Sequence, residues 1–350
     1  MQAPSRKLAD ETVAPAPNRR AVIGIASNFW LHSSKTGFDL THPPNPSSKP
    51  SSARLQLETT TTPIAIDPAK TALVIVDMQN FFLSEAFGRA KGAGHRATDA
   101  LMDYGIPAAR KAGIQVIWLN WGLNDADIKN MPPAVKRAFG FEAVVDDEGH
   151  TTGVDDFSEK EHGMGVDMDG SSEHQGGDKM LENGKDGRIY KGLGASCGRL
   201  TTPEGETVDG GRLLMADSWN AALYPPLDAA YEEGAKLDSR PDVWIHKNRM
   251  SGMWGATSPC QEFLDEKGIR TLLFTGVNTD QCVGGTFTDA FSKGYDCVLL
   301  QDGCGTTSPQ FATDCIVFNA ARTWGFVTTC EALAKGAEEM GWHGKMEKAS

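Results

Sequence analysis

Apolar and polar residues follow one another in blocks along the chain, and the blocks predict strands and helices in turn. Continuous apolar runs typical of strands buried on both faces are TALVIVDM (71–78), IQVIWLN (114–120), VWIH (243–246), TLLFTGV (271–277), YDCVLLQ (295–301) and GFVTTC (325–330). Segments with helical spacing alternate with them, at 97–112, 259–267, 281–293, 309–323 and the carboxy terminus. This alternation through short loops predicts an α/β fold, an open and mostly parallel six-stranded sheet with helices on both faces, in a Rossmann-like three-layer sandwich.

Two segments depart from the alternation and define the predicted domain boundaries. Residues 1 to about 20 are polar and residues 41–62 are rich in Pro, Ser and Thr, so residues 1–62 are predicted to form a disordered or extended amino-terminal arm. Residues 63–345 then form a single domain. Within it, the stretch at about 141–211 is dense in Asp, Glu, Gly and Ser and predicts a long acidic insertion on the surface, with hairpins near 188–192 and 204–214.

Composition narrows the class of protein. The chain has 350 residues, of which 40% are hydrophobic, and its net charge is −12, so a nucleic-acid or anionic-membrane partner is not expected. No apolar run approaches the ~20 residues of a membrane helix, and the polar amino terminus lacks the pattern of a secretory signal. We therefore expect a cytoplasmic protein, while export without a signal peptide would leave no mark in the sequence.

The cysteines point away from a disulfide framework. There are seven of them, an odd number, and none forms a C-x-x-C pair. This pattern also argues against a structural zinc site and predicts reduced thiols.

Candidate chemistry lies at the carboxyl ends of the predicted strands, where open α/β sheets place their sites. Asp77 ends one strand, Lys247 ends another, and Cys282 begins the helix after a third. A thiol at a helix N-terminus beside a lysine should have a lowered pKa, and a carboxylate nearby can carry its proton. Each residue also has an ordinary structural interpretation: a helix cap for Asp77, a solvated amine for Lys247 and a small buried side chain for Cys282.

Three motifs in order carry a resemblance to a known family. VIVDMQNFF, HKNRMSGMWG and TGVNTDQCVGGTFTDAFSKGYDCVLLQDG resemble the isochorismatase-like cysteine hydrolase superfamily, over about residues 65–340 with the acidic segment as an insertion. That superfamily includes nicotinamidases, carbamoylsarcosine amidases, ureidoacrylate and biuret hydrolases, and isochorismatases.

The resemblance implies roles for particular residues. The Asp–Lys–Cys triad of the superfamily falls on Asp77, Lys247 and Cys282. A non-proline cis peptide falls between Val277 and Asn278, and the backbone N–H groups of Asn278 and Cys282 would form the oxyanion hole. The resemblance also implies a homo-oligomer, in which the Pro-rich arm at 41–62 could embrace a neighbouring subunit.

One departure from the nicotinamidases bears on metal binding. Those enzymes carry an Asp-x-His-x-x-His stretch for zinc, whereas the corresponding NWGLNDADIKN (120–130) has no histidine. We therefore expect no metal and no cofactor, and nicotinamide is a poor substrate candidate. His246 alternates with Lys247 along a strand, so its side chain is predicted on the opposite face, as a hydrogen-bonded histidine.

The favoured function is cleavage of a C–N amide-type bond in a small molecule through a Cys282 thioester. The alternative is isochorismate hydrolysis, a vinyl-ether cleavage to pyruvate and a dihydroxy-cyclohexadiene carboxylate in which Asp77 supplies a proton; a non-catalytic binding scaffold is a third possibility. Arg249 is a candidate partner for a substrate carboxylate or a solvated arginine. The other candidate substrate-pocket residues, each with core packing as its alternative, are Phe81, Phe82, Trp121, Trp219, Met253 and Trp254.

Overall fold

The centre of the fold is a parallel six-stranded sheet. The computed structural model describes residues 17–48, 53–143, 164–170, 173–174 and 191–349. Numbered along the chain, the strands are β1 (Arg20–Ile25), β2 (Asn28–Ser33), β3 (Gly37–Asp39), β4 (Leu55–Leu57), β5 (Ile64–Ile66), β6 (Thr71–Val76), β7 (Gln115–Trp121), β8 (Phe141–Ala143), β9 (Met164–Val166), β10 (Glu173–His174), β11 (Arg199–Thr201), β12 (Thr207–Asp209), β13 (Val243–Lys247), β14 (Thr271–Val277), β15 (Asp296–Gly305) and β16 (Phe326–Thr328). The central sheet has the order β13-β7-β6-β14-β15-β16, and all of its pairings are parallel.

Helices cover both faces of this sheet, as predicted. They are α1 (Asn80–Leu83), α2 (Ala93–Ala100), α3 (Ile106–Ala112), α4 (Asp125–Lys129), α5 (Pro133–Arg137), α6 (Leu227–Gly234), α7 (Pro259–Lys267), α8 (Gly284–Ser292), α9 (Gln310–Asn319) and α10 (Cys330–Ala349). Single π turns at Leu101–Gly105, Thr279–Val283 and Ala320–Trp324 join onto α3, α8 and α9, and short 3₁₀ turns occur at Pro68–Lys70, Glu85–Phe87 and Trp219–Ala221.

The two faces form separate hydrophobic cores. One core combines strand residues with Leu264 of α7 and Phe287 of α8. The other combines the opposite strand faces with Ala109 of α3, Leu227 of α6 and Leu333 of α10. Because both faces of β6, β7 and β14 are buried, these strands carry the continuous apolar runs that made them recognisable.

Local signals fix the ends of α7, whose predicted and observed bounds agree. Ser258 caps its N-terminus, since its hydroxyl accepts the Gln261 N–H at 3.2 Å, and Pro259 occupies the first turn. Gly268 ends the helix in the left-handed conformation at φ 65°. These short-range rules need no tertiary information.

The amino-terminal segment differs from the expected disordered or extended arm. In its described part, β1 to β4 join β5 in a second sheet with the order β1-β2-β3-β5-β4. Asp296 at the start of β15 fastens this sheet to the main domain, because its carboxylate contacts Trp30 Nε1 at 2.7 Å and His42 Nε2 at 2.6 Å. β1 is exposed at all six positions and β3, β4 and β5 have three residues each, so the sequence shows little apolar alternation, which explains the difference.

The acidic insertion is described in part. The predicted hairpin near 204–214 has its counterpart in β11 and β12, which pair in antiparallel register. The hairpin predicted near 188–192 lies largely outside the described residues. Leu193, Cys197 and Leu200 belong to the hydrophobic core, so the carboxy-terminal part of the insertion packs on the domain and is more than a surface loop. Few apolar residues mark this contact, and their burial depends on the neighbours that the fold supplies.

Gly276, near the end of β14, is a position that only glycine fits. Its φ is 109°, and an added Cβ would lie 2.0 Å from the backbone oxygen of Val76. We expect Gly276→Ala to lower the free energy of unfolding by about 2–5 kcal/mol, measured by urea denaturation. Gly113→Ala is the control, because its φ of 78° is also left-handed but no atom lies within 4 Å of the added Cβ. Equal losses in the two variants would contradict a steric role for Gly276.

Candidate active site

The three predicted catalytic residues meet at the carboxyl edge of the central sheet. Asp77 follows β6, Lys247 ends β13, and Cys282 lies in the π turn that leads into α8. β6 and β14 are neighbours at the centre of the sheet, where the order of strands along the chain reverses direction. This reversal opens the crevice in which α/β proteins bind ligands.

Asp77 and Lys247 form a buried ion pair. Lys247 Nζ lies 2.9 Å from Asp77 Oδ2, and the two side chains are 1% and 0% exposed. The ammonium also donates to the Arg249 backbone oxygen at 3.1 Å and lies 4.1 Å from the centre of the Trp121 ring. Two buried charges are tolerated when they are paired and hydrogen-bonded in this way.

Asp77 is held in an uncommon backbone conformation. Its φ is +51°, in the left-handed region that non-glycine residues rarely occupy. The Asp77 N–H donates to the Leu119 oxygen at 3.1 Å, and the Asp77 oxygen accepts the Gln79 N–H at 2.8 Å. Strained positions of this kind concentrate at functional sites, where surrounding contacts maintain them.

Gln79 is a supporting residue that the sequence analysis missed. Its Oε1 accepts the Trp121 N–H at 3.1 Å, a donor that Asp77 Oδ1 shares at 3.0 Å. Its Nε2 donates to the backbone oxygens of Trp121 and Ala221 at 2.8 and 2.6 Å. The sequence shows only that a glutamine lies two residues after the carboxylate. Its complete burial, which reveals the supporting role, is a property of the fold.

The Cys282 thiol is buried, and both members of this ion pair act on its pKa. Burial raises the pKa of Cys282 to about 12, and the Asp77 carboxylate adds to this rise while Lys247 and Trp121 oppose it. Burial likewise raises the pKa of Asp77, against the lowering effect of Lys247. The expectation of a lowered thiol pKa is therefore wrong for the resting protein, because desolvation outweighs the nearby ammonium.

The raised pKa of Cys282 predicts how the reactivity of this thiol depends on pH. We expect iodoacetamide to modify Cys282 slowly at neutral pH and to accelerate about tenfold per pH unit between about pH 7 and 9, because the thiolate fraction grows toward a distant pKa. Asp77→Asn removes the anion that raises the thiol pKa, so modification should become faster. Peptide mass spectrometry should follow Cys282 in a Cys315→Ser background, since Cys315 is exposed. A rate plateau below pH 8 in the parent protein would contradict a raised pKa.

The turn before Cys282 contains the non-proline cis peptide that the resemblance implies. The peptide between Val277 and Asn278 is cis. The Asn278 oxygen accepts the N–H groups of Gln281 and Val283 at 3.0 and 3.2 Å, which closes the turn around Cys282. The assignment of the Asn278 and Cys282 N–H groups to an oxyanion hole stays a prediction.

Aromatic side chains pack beside the triad. Phe81 contacts Phe82 and Phe139 at ring-centroid distances of 5.0 and 6.2 Å, and Trp121 contacts Phe139 at 5.2 Å. Trp219 stacks on Phe87 at 5.9 Å, further along the same wall. The sequence analysis missed Phe139, which lies outside the three motifs. Of the predicted pocket residues, Phe81, Phe82, Trp121 and Trp219 are thus in one aromatic wall.

The remaining predicted pocket residues are placed differently. Met253 is fully buried in the core. Arg249 stacks on the half-exposed Trp254 at 4.6 Å and donates to the Asn248 oxygen at 2.7 Å. The Arg249 backbone meets Lys247, whereas its guanidinium packs toward Met131 and Trp254, so a role with a substrate carboxylate stays a prediction.

A cavity of about 350 Å³ opens beside the aromatic wall. Its lining includes Asn80 and Trp219 together with Thr202, Glu204 and Glu206 of the insertion. The insertion therefore contributes to a cavity that reaches Asn80, three residues after Asp77, although Asp77, Lys247 and Cys282 do not line it.

His246 lies away from the site, as its alternation with Lys247 predicts. Its ring is exposed, and Trp244 Nε1 lies 3.3 Å from His246 Nδ1. Partial burial lowers the pKa of His246.

Among the residues with described positions, no group of three or more His, Cys, Asp or Glu side chains is placed to hold a metal ion. None of the described helices has the length and apolar character to cross a membrane.

Comparison with known proteins finds one matching family and several solved structures of similar fold. The isochorismatase domain family matches residues 208–332, which include Lys247 and Cys282. Among solved structures, a cysteine hydrolase from Pseudomonas syringae pv. phaseolicola 1448A is 16% identical, with a TM-score of 0.47, and the alignment covers 84% of this chain and 99% of that one. An isochorismatase family protein from Desulfovibrio vulgaris subsp. vulgaris str. Hildenborough is 18% identical, with a TM-score of 0.46 and coverages of 76% and 97%. A nicotinamidase from Bacillus subtilis is 16% identical, with a TM-score of 0.43 and coverages of 74% and 99%.

The family match confirms the resemblance to the isochorismatase family over residues 208–332, which contain the second and third of the three motifs.

Proposed function

We propose that the protein hydrolyses a C–N amide-type bond of a small molecule, with Cys282 as nucleophile, Asp77 as general acid and base, and Lys247 as their electrostatic partner. The observation that carries the proposal is the placement of the buried Cys282 at the strand edge where Asp77 and Lys247 form a buried ion pair at 2.9 Å. A side-chain nucleophile and a side-chain proton carrier suffice for this reaction, so no cofactor is required.

In the proposed acylation, Cys282 Sγ attacks the substrate carbonyl carbon while its proton moves to Asp77. The carbonyl π electrons move onto oxygen, and the N–H groups of Asn278 and Cys282 stabilise the oxyanion. Collapse of this intermediate breaks the C–N bond, and Asp77 returns its proton to the leaving nitrogen. The products of this half-reaction are the free amine and a Cys282 thioester.

In the proposed deacylation, a water molecule attacks the thioester carbonyl and gives a proton to Asp77. The C–S bond then breaks, and the proton passes from Asp77 to Cys282 Sγ. The acid is released and the thiol is restored, so one water is consumed and no proton is gained or lost by the protein.

The raised pKa values fit these roles. A buried thiol with a raised pKa is protonated at neutral pH, so its proton must leave as the S–C bond forms. We propose Asp77 as the acceptor, because its carboxylate acts on the Cys282 pKa. Burial makes the Asp77 carboxylate a stronger base than a solvated one, and its conjugate acid still lies close to Lys247. Lys247 favours the ionised carboxylate and limits the rise in the Asp77 pKa.

Isochorismate hydrolysis is the second candidate, favoured by the match of residues 208–332 to the isochorismatase domain family. In this reaction Asp77 would protonate the vinyl-ether carbon, water would add to the resulting oxocarbenium carbon, and the ether C–O bond would break to give pyruvate. The carboxyl proton is the required reagent, and the raised pKa of Asp77 increases the fraction of Asp77 that carries it at a given pH.

The discriminating experiment measures two products from the wild-type protein and from Cys282→Ala. Ammonia or amine release is followed from a panel of small primary amides and ureido compounds, and pyruvate release is followed from isochorismate. The amide proposal expects ammonia or amine from the wild type alone. Pyruvate from both proteins would support the second candidate and overturn the thioester scheme, and no product from the wild type on either substrate class would favour a binding scaffold.

A further inference from the structure

Helix α9 has one side fixed against the hydrolase core. Ile316 and Val317 pack partly buried against the hydrophobic cluster that contains Cys282. Contact with α8 is close, because a Cβ added at Gly284 would lie 3.0 Å from Ile316 Cδ1. The inner side of α9 is therefore held by the helix that follows the nucleophile, and its outer side has a fixed orientation.

The outer side carries a stripe that we call the α9 stripe: Phe311, Asp314, Cys315, Phe318 and Arg322. The spacing of these residues, three or four apart, places them along one side of the helix. All five are exposed, and Phe311 and Phe318 reach 73% and 63% exposure, the largest values among exposed aromatic residues in the described part of the chain. Two such phenylalanines on one stripe indicate a surface that another molecule covers.

The charges of the α9 stripe are arranged symmetrically about Phe318. Asp314 precedes Phe318 by four residues, about 6 Å along the helix axis at a rise of about 1.5 Å per residue. Arg322 follows Phe318 by four residues and lies in the π turn Ala320–Trp324 that continues α9. Within the described residues neither side chain has an ion-pair partner, although Gln310 Nε2 donates to Asp314 Oδ1 at 2.9 Å. An antiparallel copy of the same helix, centred at Phe318, therefore brings an arginine level with each aspartate.

We propose that the α9 stripe is the interface between two copies of this chain, with the α9 helices antiparallel about a two-fold axis at Phe318. Phe318 of one copy packs on Phe318 of the other, and Asp314 of one copy pairs with Arg322 of the other. The self-complementary charge pattern favours a second copy over a different protein, because a two-fold axis presents the same patch on both sides. The proposal is independent of the substrate and of the catalytic roles above.

The first test measures the association of the full-length protein by sedimentation velocity across a concentration series. The wild type is expected to dimerise. Phe318→Asp is expected to weaken the dimer by at least about a hundredfold, because a carboxylate would be buried at the centre of the interface. Tyr104→Asp is the matched control, since Tyr104 is also an exposed aromatic residue but lies outside the α9 stripe, at 42% exposure. Its dimerisation should match that of the wild type.

A charge exchange tests the antiparallel arrangement itself. Asp314→Arg is expected to weaken the dimer by about tenfold or more, because it opposes two arginines across the interface. The double variant Asp314→Arg with Arg322→Asp restores opposite charges and should recover most of the wild-type affinity. A merely structural effect of the first change would persist in the double variant.

Each other outcome overturns the proposal. A wild-type protein that stays monomeric at all concentrations excludes a second copy as the occupant of the stripe. A dimer that tolerates Phe318→Asp as well as Tyr104→Asp uses another surface. A dimer that Phe318→Asp weakens but the double charge exchange fails to restore lacks the antiparallel pairing.

Discussion

Cys282→Ala is expected to lower the turnover of an amide substrate by at least about a thousandfold, because the covalent step has no substitute nucleophile in the site. Cys260→Ala is the matched control. Cys260, on α7, is also a fully buried thiol with a pKa raised to about 12, but burial causes this shift and no charged group of the described residues contributes to it. Its replacement should leave turnover close to wild type, measured as initial rates of ammonia or amine release.

The same pair of variants separates chemistry from stability. Both replacements remove a small buried side chain, so both should lower the melting temperature by similar and modest amounts. Near-wild-type turnover of Cys282→Ala with loss of activity in Asp77→Asn would reject the thioester and leave proton donation by Asp77 as the main step. Loss of turnover in Cys260→Ala would mean that packing alone explains the effect of Cys282→Ala.

Lys247→Met is expected to lower the free energy of unfolding by about 3–5 kcal/mol at neutral pH, because it leaves the Asp77 carboxylate buried without its counter-charge. Arg212→Met is the matched control. It also breaks an ion pair, Arg212 with Asp125 at 2.8 Å, but those side chains are 48% and 72% exposed and the loss should stay below about 1 kcal/mol. Urea unfolding of the three proteins provides the comparison.

The pH dependence of this loss of stability follows from the direction in which folding shifts the Asp77 pKa. The folded pKa of Asp77 is raised above its ordinary value of 3.8, and removing Lys247 raises it further. A carboxyl group with a raised folded pKa binds more protons when folded, so its contribution to stability is present at low pH and declines as pH rises through the folded pKa. The difference between Lys247→Met and wild type should therefore be smaller near pH 4 than near pH 7.

Asp77→Asn combined with Lys247→Met provides a further check on the cause. The double variant removes both charges, and asparagine tolerates the left-handed backbone at φ +51°. It should be more stable than Lys247→Met alone while remaining inactive. Two results would contradict burial of an unpaired carboxylate as the origin of the loss. One is a Lys247→Met protein as stable as Arg212→Met, and the other is a double variant that is no more stable than Lys247→Met.

Patterns in the sequence located the edge of the sheet where Asp77, Lys247 and Cys282 meet, because these patterns depend on short-range physics. Strands buried on both faces require continuous apolar runs, and β14 has the predicted bounds, 271–277. Once a parallel sheet is expected, the carboxyl ends of its strands share an edge, and Asp77, Lys247 and Cys282 fall there together. The order of the three motifs then predicted the family that residues 208–332 match.

Such patterns could not predict contacts between segments that are distant along the chain. β1 to β4 are short, and their sheet is joined to the domain through Asp296, more than 250 residues away along the chain. The fixed positions of Leu193 and Leu200 in the insertion depend on a core that other segments build. Gln79 likewise has a role only because the Trp121 backbone lies beside it.

The sequence by itself determined the alternating strands and helices, the edge at which the chemistry lies and the residue types available there. Only the tertiary structure decided the protonation of the site. A cysteine near a helix N-terminus and a lysine predicts a lowered pKa, yet the folded chain withdraws Cys282 from water and raises its pKa to about 12. Burial is a sum over neighbours from the whole chain, and the sign of the shift depends on that sum outweighing a single nearby charge.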